Sequence, residues 1–64
     1  MKQYRFIKDV TIYERDRSPK WTTTEPVSWN YRWVYYKGDT YEGANRTEFG
    51  KWLLANNFVE EVNE

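Results

Sequence analysis

The chain contains neither cysteine nor histidine. It therefore cannot form a disulfide, and it has no thiolate or imidazole with which to build a Ser-His-Asp site, a Cys-His site or most kinds of zinc site. Its three glycines, Gly38, Gly43 and Gly50, do not form a glycine-rich phosphate-binding loop. On these grounds the sequence predicts no metal and no cofactor.

Carboxylates are the groups that remain for acid-base catalysis, and the one adjacent pair is Glu60-Glu61. Neighbouring residues of a strand point to opposite faces, so these two are not expected to act together. Asp9, Asp16 and Asp39 are flanked by basic or turn residues, which is typical of solvated carboxylates. We therefore expect a protein that is not an enzyme.

Long apolar runs are also absent. No segment approaches the roughly 20 apolar residues of a membrane span, and no apolar run of signal-peptide length follows the charged start of the chain. The lack of cysteine fits a reducing cytosol. The sequence thus predicts a soluble cytoplasmic protein that does not enter a membrane.

Neither sign of charge is in excess, since ten Lys or Arg residues balance ten Asp or Glu residues. Basic residues are concentrated near the N-terminus and acidic ones near the C-terminus. A dedicated nucleic-acid binder usually has a basic excess, because phosphate neutralisation supplies much of its affinity. The charge balance therefore favours a protein partner over a nucleic acid.

Aromatic residues are what this chain has in quantity: four Trp, six Tyr and three Phe in 64 residues. A chain of this length forms a single domain, residues 1–64, and buries only about 60% of the surface that its unfolded form exposes. Each aromatic side chain can bury about 150–250 Å². Most of the aromatic residues are therefore expected to be structural.

The clearest pattern is an aromatic row of alternating residues, Trp29, Tyr31, Trp33 and Tyr35, which predicts a strand over residues 28–36. We expect this aromatic row to be mainly the interior face of the sheet. The alternative is that part of the row is exposed, with Trp29 the first candidate, and stacks nucleic-acid bases. In that case nearby cations would assist it, namely Arg5, Arg32 and Lys37.

Three segments precede this strand. Residues 2–14 alternate between apolar and polar and predict one long strand, or two short strands hinged at Lys8-Asp9. Arg15–Lys20 has no apolar residue and predicts an exposed loop. Residues 21–27 contain Pro26 and predict either an edge strand or an extended loop, in which Trp21 is a lid on the core or an exposed anchor.

Lys37-Gly38-Asp39 predicts a hairpin turn that returns as Thr40–Glu42. A three-residue loop would pair Tyr35 with Tyr41 and a two-residue loop would pair Tyr36 with Tyr41. We favour the first, because it places Tyr41 on the face of Trp33 and Tyr35.

A helix is predicted to follow, with Asn45 as its cap and with an apolar stripe of Phe49, Trp52 and Leu53. It ends at Asn56-Asn57, and a last strand covers 58–62. The predicted fold class is α+β: a small twisted antiparallel sheet of three to five strands packed on one short C-terminal helix, in the order β-(β)-β-β-α-β.

The spacing of residues in this predicted hairpin and helix resembles that in two DNA-binding families, the arm-type domains of tyrosine integrases and the plant AP2 domains. The likeness covers residues 28–54. The residues that carry it are Trp29-Asn30-Tyr31-Arg32-Trp33, Tyr36-Lys37-Gly38, Tyr41, Gly43, Thr47-Glu48 and Trp52-Leu53. The resemblance implies a sheet that lies in the major groove, a helix behind it, and DNA contacts by Arg32 and Lys37.

The main functional hypothesis is a small protein-binding module that inhibits or regulates a larger protein, as proteins of phages and mobile elements do. One alternative is a nucleic-acid-binding sheet, and another is a structural assembly subunit whose edge strand near Trp21–Thr24 pairs with a second chain. An aromatic surplus with mixed charge suits a protein interface, where Trp, Tyr and Arg are enriched. The predicted partner-binding residues are Trp21, Trp29, Arg32, Lys37, Arg15 and Arg17.

Overall fold

The computed structural model describes residues 1–63 and confirms the α+β class. The strands are β1 (Gln3–Phe6), β2 (Val10–Glu14), β3 (Trp21–Thr22), β4 (Tyr31–Tyr35), β5 (Thr40–Glu42) and β6 (Val59–Glu61), and the α-helix is α1 (Glu48–Ala55). The arrangement differs from the predicted single sheet. Two antiparallel three-stranded sheets form instead, in the orders β5-β1-β6 and β3-β2-β4.

The two sheets are joined by a bent antiparallel ribbon. On one side β1 continues into β2, and on the other β4 continues into β5. Arg5 pairs with Thr40 and Val10 pairs with Tyr35, so both sides of the ribbon advance by five residues and keep one register. The predicted hinge at Lys8-Asp9 is confirmed, because the first strand is interrupted over residues 7–9.

The predicted hairpin between β4 and β5 is wrong. The turn lies where it was expected and Gly38 has φ of 95°, but β4 pairs with β2 whereas β5 pairs with β1. The Lys37 amide donates to Asp9 Oδ1 at 2.8 Å, and the Phe6 amide donates to the Asp39 carbonyl at 2.8 Å. These bonds hold the turn against the first strand, so the chain bends with the ribbon and does not fold back on itself.

Residues 21–27 form a very short edge strand followed by irregular chain. Only Trp21 and Thr22 are in β3, which pairs with β2 at the edge of its sheet. The Thr22 hydroxyl then accepts a bond from the Thr24 amide at 3.2 Å, a local turn that ends the pairing. The edge-strand alternative is thus confirmed for two residues.

The helix begins two residues later than predicted. Asn45 lies inside a short 3₁₀ helix, Ala44–Arg46, and the cap of α1 is Thr47, whose Oγ1 accepts the Gly50 amide at 2.9 Å. A hydroxyl at this position satisfies an amide that has no partner within the helix. The predicted end is confirmed, because Asn57 has φ of 59° and stops α1.

The core lies between β1, β2, α1 and β6. The buried apolar residues are Tyr4, Phe6, Ile12, Tyr13, Ala44, Leu53, Phe58 and Val59.

The aromatic row is not the interior face, and that prediction is wrong. Of its four residues only Tyr35 is half-buried, whereas Trp29, Tyr31 and Trp33 are exposed. The strand β4 has a neighbour on one side only, and the short helix covers little of it.

Candidate functional site

The strand β4 is an exposed edge. It pairs with β2 on one side, and no strand among residues 1–63 pairs with its other side. Val34 is 45% exposed and Tyr31 is 56% exposed. Arg32 is the one charged residue in the strand, which has no proline. Edge strands are normally blunted by charge, proline or a bulge, because their free backbone groups pair readily with another chain.

An aromatic cleft of about 200 Å³ lies beside this edge. Its walls come from three strands and the first turn of α1. The lining residues are Glu14, Trp33, Tyr35, Tyr41 and Phe49.

Strand pairing explains how these side chains meet. In the register of β2 with β4, Ile12 lies opposite Trp33 and Glu14 lies opposite Tyr31. Directly opposite residues point to one face of a sheet, so Glu14 shares its face with the rings of β4. The continuous ribbon then brings Tyr41 of β5 next to Tyr35, although the two strands do not pair. The expectation that Tyr41 shares a face with Trp33 and Tyr35 is therefore confirmed.

Phe49 is at the centre of the cleft. Its ring centre is 6.2 Å from that of Trp33, 6.4 Å from that of Tyr35 and 6.0 Å from that of Tyr41. The interplanar angles of these pairs are between 35° and 58°, so the rings are tilted toward one another. The predicted contact between the helix stripe and the aromatic row is confirmed for this residue.

Glu14 places a carboxylate in the wall of the cleft. Its Oε1 accepts the indole N–H of Trp21 at 2.9 Å. The ion pair found among residues 1–63 is Lys2 with Glu61, on the other sheet. Cations lie over the rings of Phe58, Trp21 and Trp29, and none of these rings lines the cleft. Within the described residues, the cleft thus combines aromatic faces with a carboxylate and has no cation of its own.

The cleft residue Tyr35 has a perturbed acidity. Burial is the main cause that raises the pKa of Tyr35 above its ordinary value of 10.0, and the nearby Tyr41 and Asp39 raise it further. The phenol therefore keeps its proton in the folded chain at a pH where the unfolded chain begins to lose it.

This raised pKa predicts a loss of stability in alkali. The contribution of Tyr35 to the free energy of unfolding is fully present below about pH 10, and it is lost as the pH rises through the pKa of Tyr35 in the folded chain. We expect the free energy of unfolding, measured by urea titration at several pH values, to fall less steeply above pH ~10 for Tyr35→Phe than for the native chain. Tyr36→Phe is the matched control, because Tyr36 is 60% exposed. Equal slopes for the two variants would contradict the assignment.

The opposite face of β4 holds two of the predicted site residues together. The Arg32 guanidinium lies 5.9 Å from the ring centre of Trp29. That ring packs on Tyr13 at 5.6 Å, and Trp29 itself is 39% exposed. Arg32 alternates with the cleft residues along β4, so its charge lies on the other side of the sheet from the cleft.

The remaining predicted site residues are spread over the surface. Arg15 and Arg17 line an open cavity of about 440 Å³ in the charged loop, together with carboxylates and other polar groups. Lys37 is exposed at the bend of the ribbon, and Arg5 is in the other sheet, opposite Glu60. Trp21 is half-buried against Phe49 and Trp52, as expected of a lid.

Sequence reasoning did not select the residues of the cleft as a site. The sequence pattern assigns Trp33 and Tyr35 to the core, places Tyr41 on the same face and places Phe49 in the apolar stripe of the helix that covers this face. Alternation identifies which residues share a face and does not tell whether that face is covered. No local sequence pattern indicates that Glu14 lies beside these rings, because its position in the cleft follows from the pairing of β2 with β4.

Comparisons of the chain with protein-family models, with curated proteins and with solved structures give no match. Within residues 1–63, no helix combines the length and the apolar character that crossing a bilayer requires. In the same part of the chain, no three acidic side chains come close enough together to hold a metal ion.

Proposed function

We propose that this protein is a small, non-enzymatic protein-binding module that regulates or inhibits a larger protein by docking on it through β4 and the adjoining aromatic cleft. The observation that carries the proposal is an exposed five-residue edge strand, flanked by aromatic rings, in a chain that has neither histidine nor cysteine. The proposal includes a cytoplasmic location, which the lack of cysteine supports.

Two physical features support a protein partner. A free sheet edge offers backbone donors and acceptors to an extended segment of another protein, which adds to the sheet as a further strand. Exposed tryptophan and tyrosine side chains are the residues that protein interfaces enrich, since they bury a large area at a small cost in conformational entropy. Tyr31 and Trp33 provide such exposed side chains on β4, and Val34 adds exposed apolar surface to the same strand.

Nucleic-acid binding, the main alternative, has less support. A base-stacking platform needs cations beside its rings, and the charged group beside the exposed rings of the cleft is the carboxylate of Glu14. Arg32 lies on the opposite face of β4, and Lys37 and Arg5 are on other parts of the ribbon. The hairpin on which the resemblance to DNA-binding domains rests does not form. The assembly alternative also has less support at β3, since this edge offers only two residues.

A pair of identical substitutions tests the docking surface. Val34→Lys places a charge on the free edge of β4, which disfavours strand addition. Val27→Lys makes the same change at a fully exposed loop residue. In quantitative affinity capture from a lysate of the source organism, we expect Val34→Lys to reduce the recovered partner about tenfold or more, equivalent to about 1.4 kcal/mol. Val27→Lys should recover as much as the native chain.

Three outcomes would count against the proposal. Equal recovery by Val34→Lys and the native chain would show that β4 is not the docking edge. Salt-dependent binding of oligonucleotides together with no captured protein would favour the nucleic-acid alternative. A mass that rises with concentration, measured by light scattering and abolished by Val34→Lys, would favour self-assembly through the same edge.

A further inference from the structure

We propose that the aromatic cleft binds the methylated ammonium group of a lysine side chain on the partner. This inference rests on the proposed function, since it names the side chain that the partner would insert beside β4. The site is made of the rings of Trp33, Tyr35, Tyr41 and Phe49 together with the carboxylate of Glu14.

The chemistry of the lining selects a cation. The face of an aromatic ring is negative, and a cation within about 6 Å of the ring centre is attracted to it. Four rings line one cleft, and their centres are 6.0–6.5 Å apart in the four pairs that are in contact. Glu14 adds a full negative charge at the wall. An acidic side chain would be repelled by this charge, and an apolar side chain would not compensate it.

The protein's own cations do not fill this site. Lys8, Lys20 and Arg32 each lie over an aromatic ring, but these rings belong to Phe58, Trp21 and Trp29. Three rings of this chain thus have a cation over them, and within residues 1–63 the rings of the cleft have none.

The small number of acceptors favours a methylated ammonium over arginine or unmodified lysine. A guanidinium has five N–H donors and an unmodified ammonium has three, and a buried donor without a partner is costly. Glu14 Oε1 already accepts the indole N–H of Trp21, which leaves the carboxylate fewer free lone pairs for the N–H donors of an arginine or an unmodified lysine. A trimethylated ammonium keeps its charge, needs no hydrogen bond and presents methyl groups to the rings.

The test uses three small probes at constant ionic strength: Nα-acetyl-Nε-trimethyllysine methylamide, its neutral tert-butyl isostere and the unmethylated lysine derivative. Binding is followed by the indole N–H signal of Trp33 in NMR spectra, with Trp29 on the other face of β4 as an internal reference. We expect saturable shifts at Trp33 and none at Trp29, and binding of the trimethylated probe at least about threefold tighter than that of either other probe. The indole N–H of Trp21 should shift as well, because it donates to Glu14 Oε1.

Glu14→Gln should reduce the preference for the trimethylated probe over its isostere, whereas Glu60→Gln, an exposed change in the other sheet, should leave it unchanged. Equal affinities for the charged probe and its neutral isostere in the native chain would overturn the inference, as would equal shifts at Trp29 and Trp33. These native-chain comparisons do not depend on the folding of any variant. They also do not need strand addition, so the inference can fail while capture through β4 succeeds, and the reverse holds as well.

Discussion

Replacing Phe6 with alanine is expected to remove about 3–5 kcal/mol of stability, the usual cost of emptying a buried phenylalanine site. Phe6 is 1% exposed, and its ring stacks on Tyr35 with centres 4.2 Å apart and planes 11° apart. Its amide and carbonyl also bond to Asp39 and Gly38, at the bend between the two sheets. A chain of 64 residues has a total stability of about 3–10 kcal/mol, so this single change should leave much of the population unfolded.

Urea denaturation followed by circular dichroism measures this loss. Ile7→Ala is the matched control, because Ile7 is the next residue and is 40% exposed. We expect it to cost about 1 kcal/mol or less, since little of its area is lost from the core. Phe6→Leu should fall between the two, because leucine refills most of the space. A loss for Phe6→Ala that is no larger than that for Ile7→Ala would contradict the packing described for the core.

Gly50→Ala is expected to destabilise the protein by about 2 kcal/mol or more, although alanine is the better helix former by up to ~1 kcal/mol. A side chain at residue 50 would meet the backbone of Ala44, with its carbonyl oxygen closest. This backbone belongs to the 3₁₀ helix that packs on α1, so it cannot rotate away as a flexible side chain would. The glycine at this position is therefore explained by close packing of the two helices.

Two further variants separate this clash from a general effect on the helix. Lys51→Ala changes the neighbouring exposed residue and should alter stability by less than about 0.5 kcal/mol. Adding Ala44→Gly to Gly50→Ala should give no rescue, because the atoms in the way are backbone atoms that glycine also has. Rescue by the double substitution, or a stability equal to that of the native chain for Gly50→Ala, would rule out the close approach as the cause.

Both variants also bear on the proposed site. The ring of Phe6 stacks on that of Tyr35. Gly50 allows α1, which carries Phe49, to approach the backbone of Ala44 closely. Two walls of the aromatic cleft are thus held in place by core contacts. A binding defect in either variant would therefore be indirect, whereas Glu14→Gln and Val34→Lys act at the surface itself.

Local sequence patterns predicted most of the secondary structure. Alternation located β1, β2 and β4, the charged run located the loop at 15–20, and the stripe that begins at Phe49 located α1. Each of these signals depends on residues that are close in sequence, since side-chain periodicity and turn chemistry are local properties. The cap of α1 was placed two residues early because Asn45 and Thr47 both suit that role, and only their hydrogen bonds distinguish them.

What the sequence by itself determined is therefore the class of fold, the order of its elements and the shared face of Tyr31, Trp33 and Tyr35 in β4; Trp29, which the alternation placed with them, lies on the opposite face. The tertiary structure alone decided that β4 and β5 pair with β2 and β1 and not with each other, that β4 is an edge, and that its aromatic face remains open beside Glu14. Strand pairing joins residues that are distant in the chain, and burial depends on which surfaces those pairings bring together. For this reason Trp33 and Tyr35, two of the rings that predict an interior strand, form part of the wall of an exposed cleft.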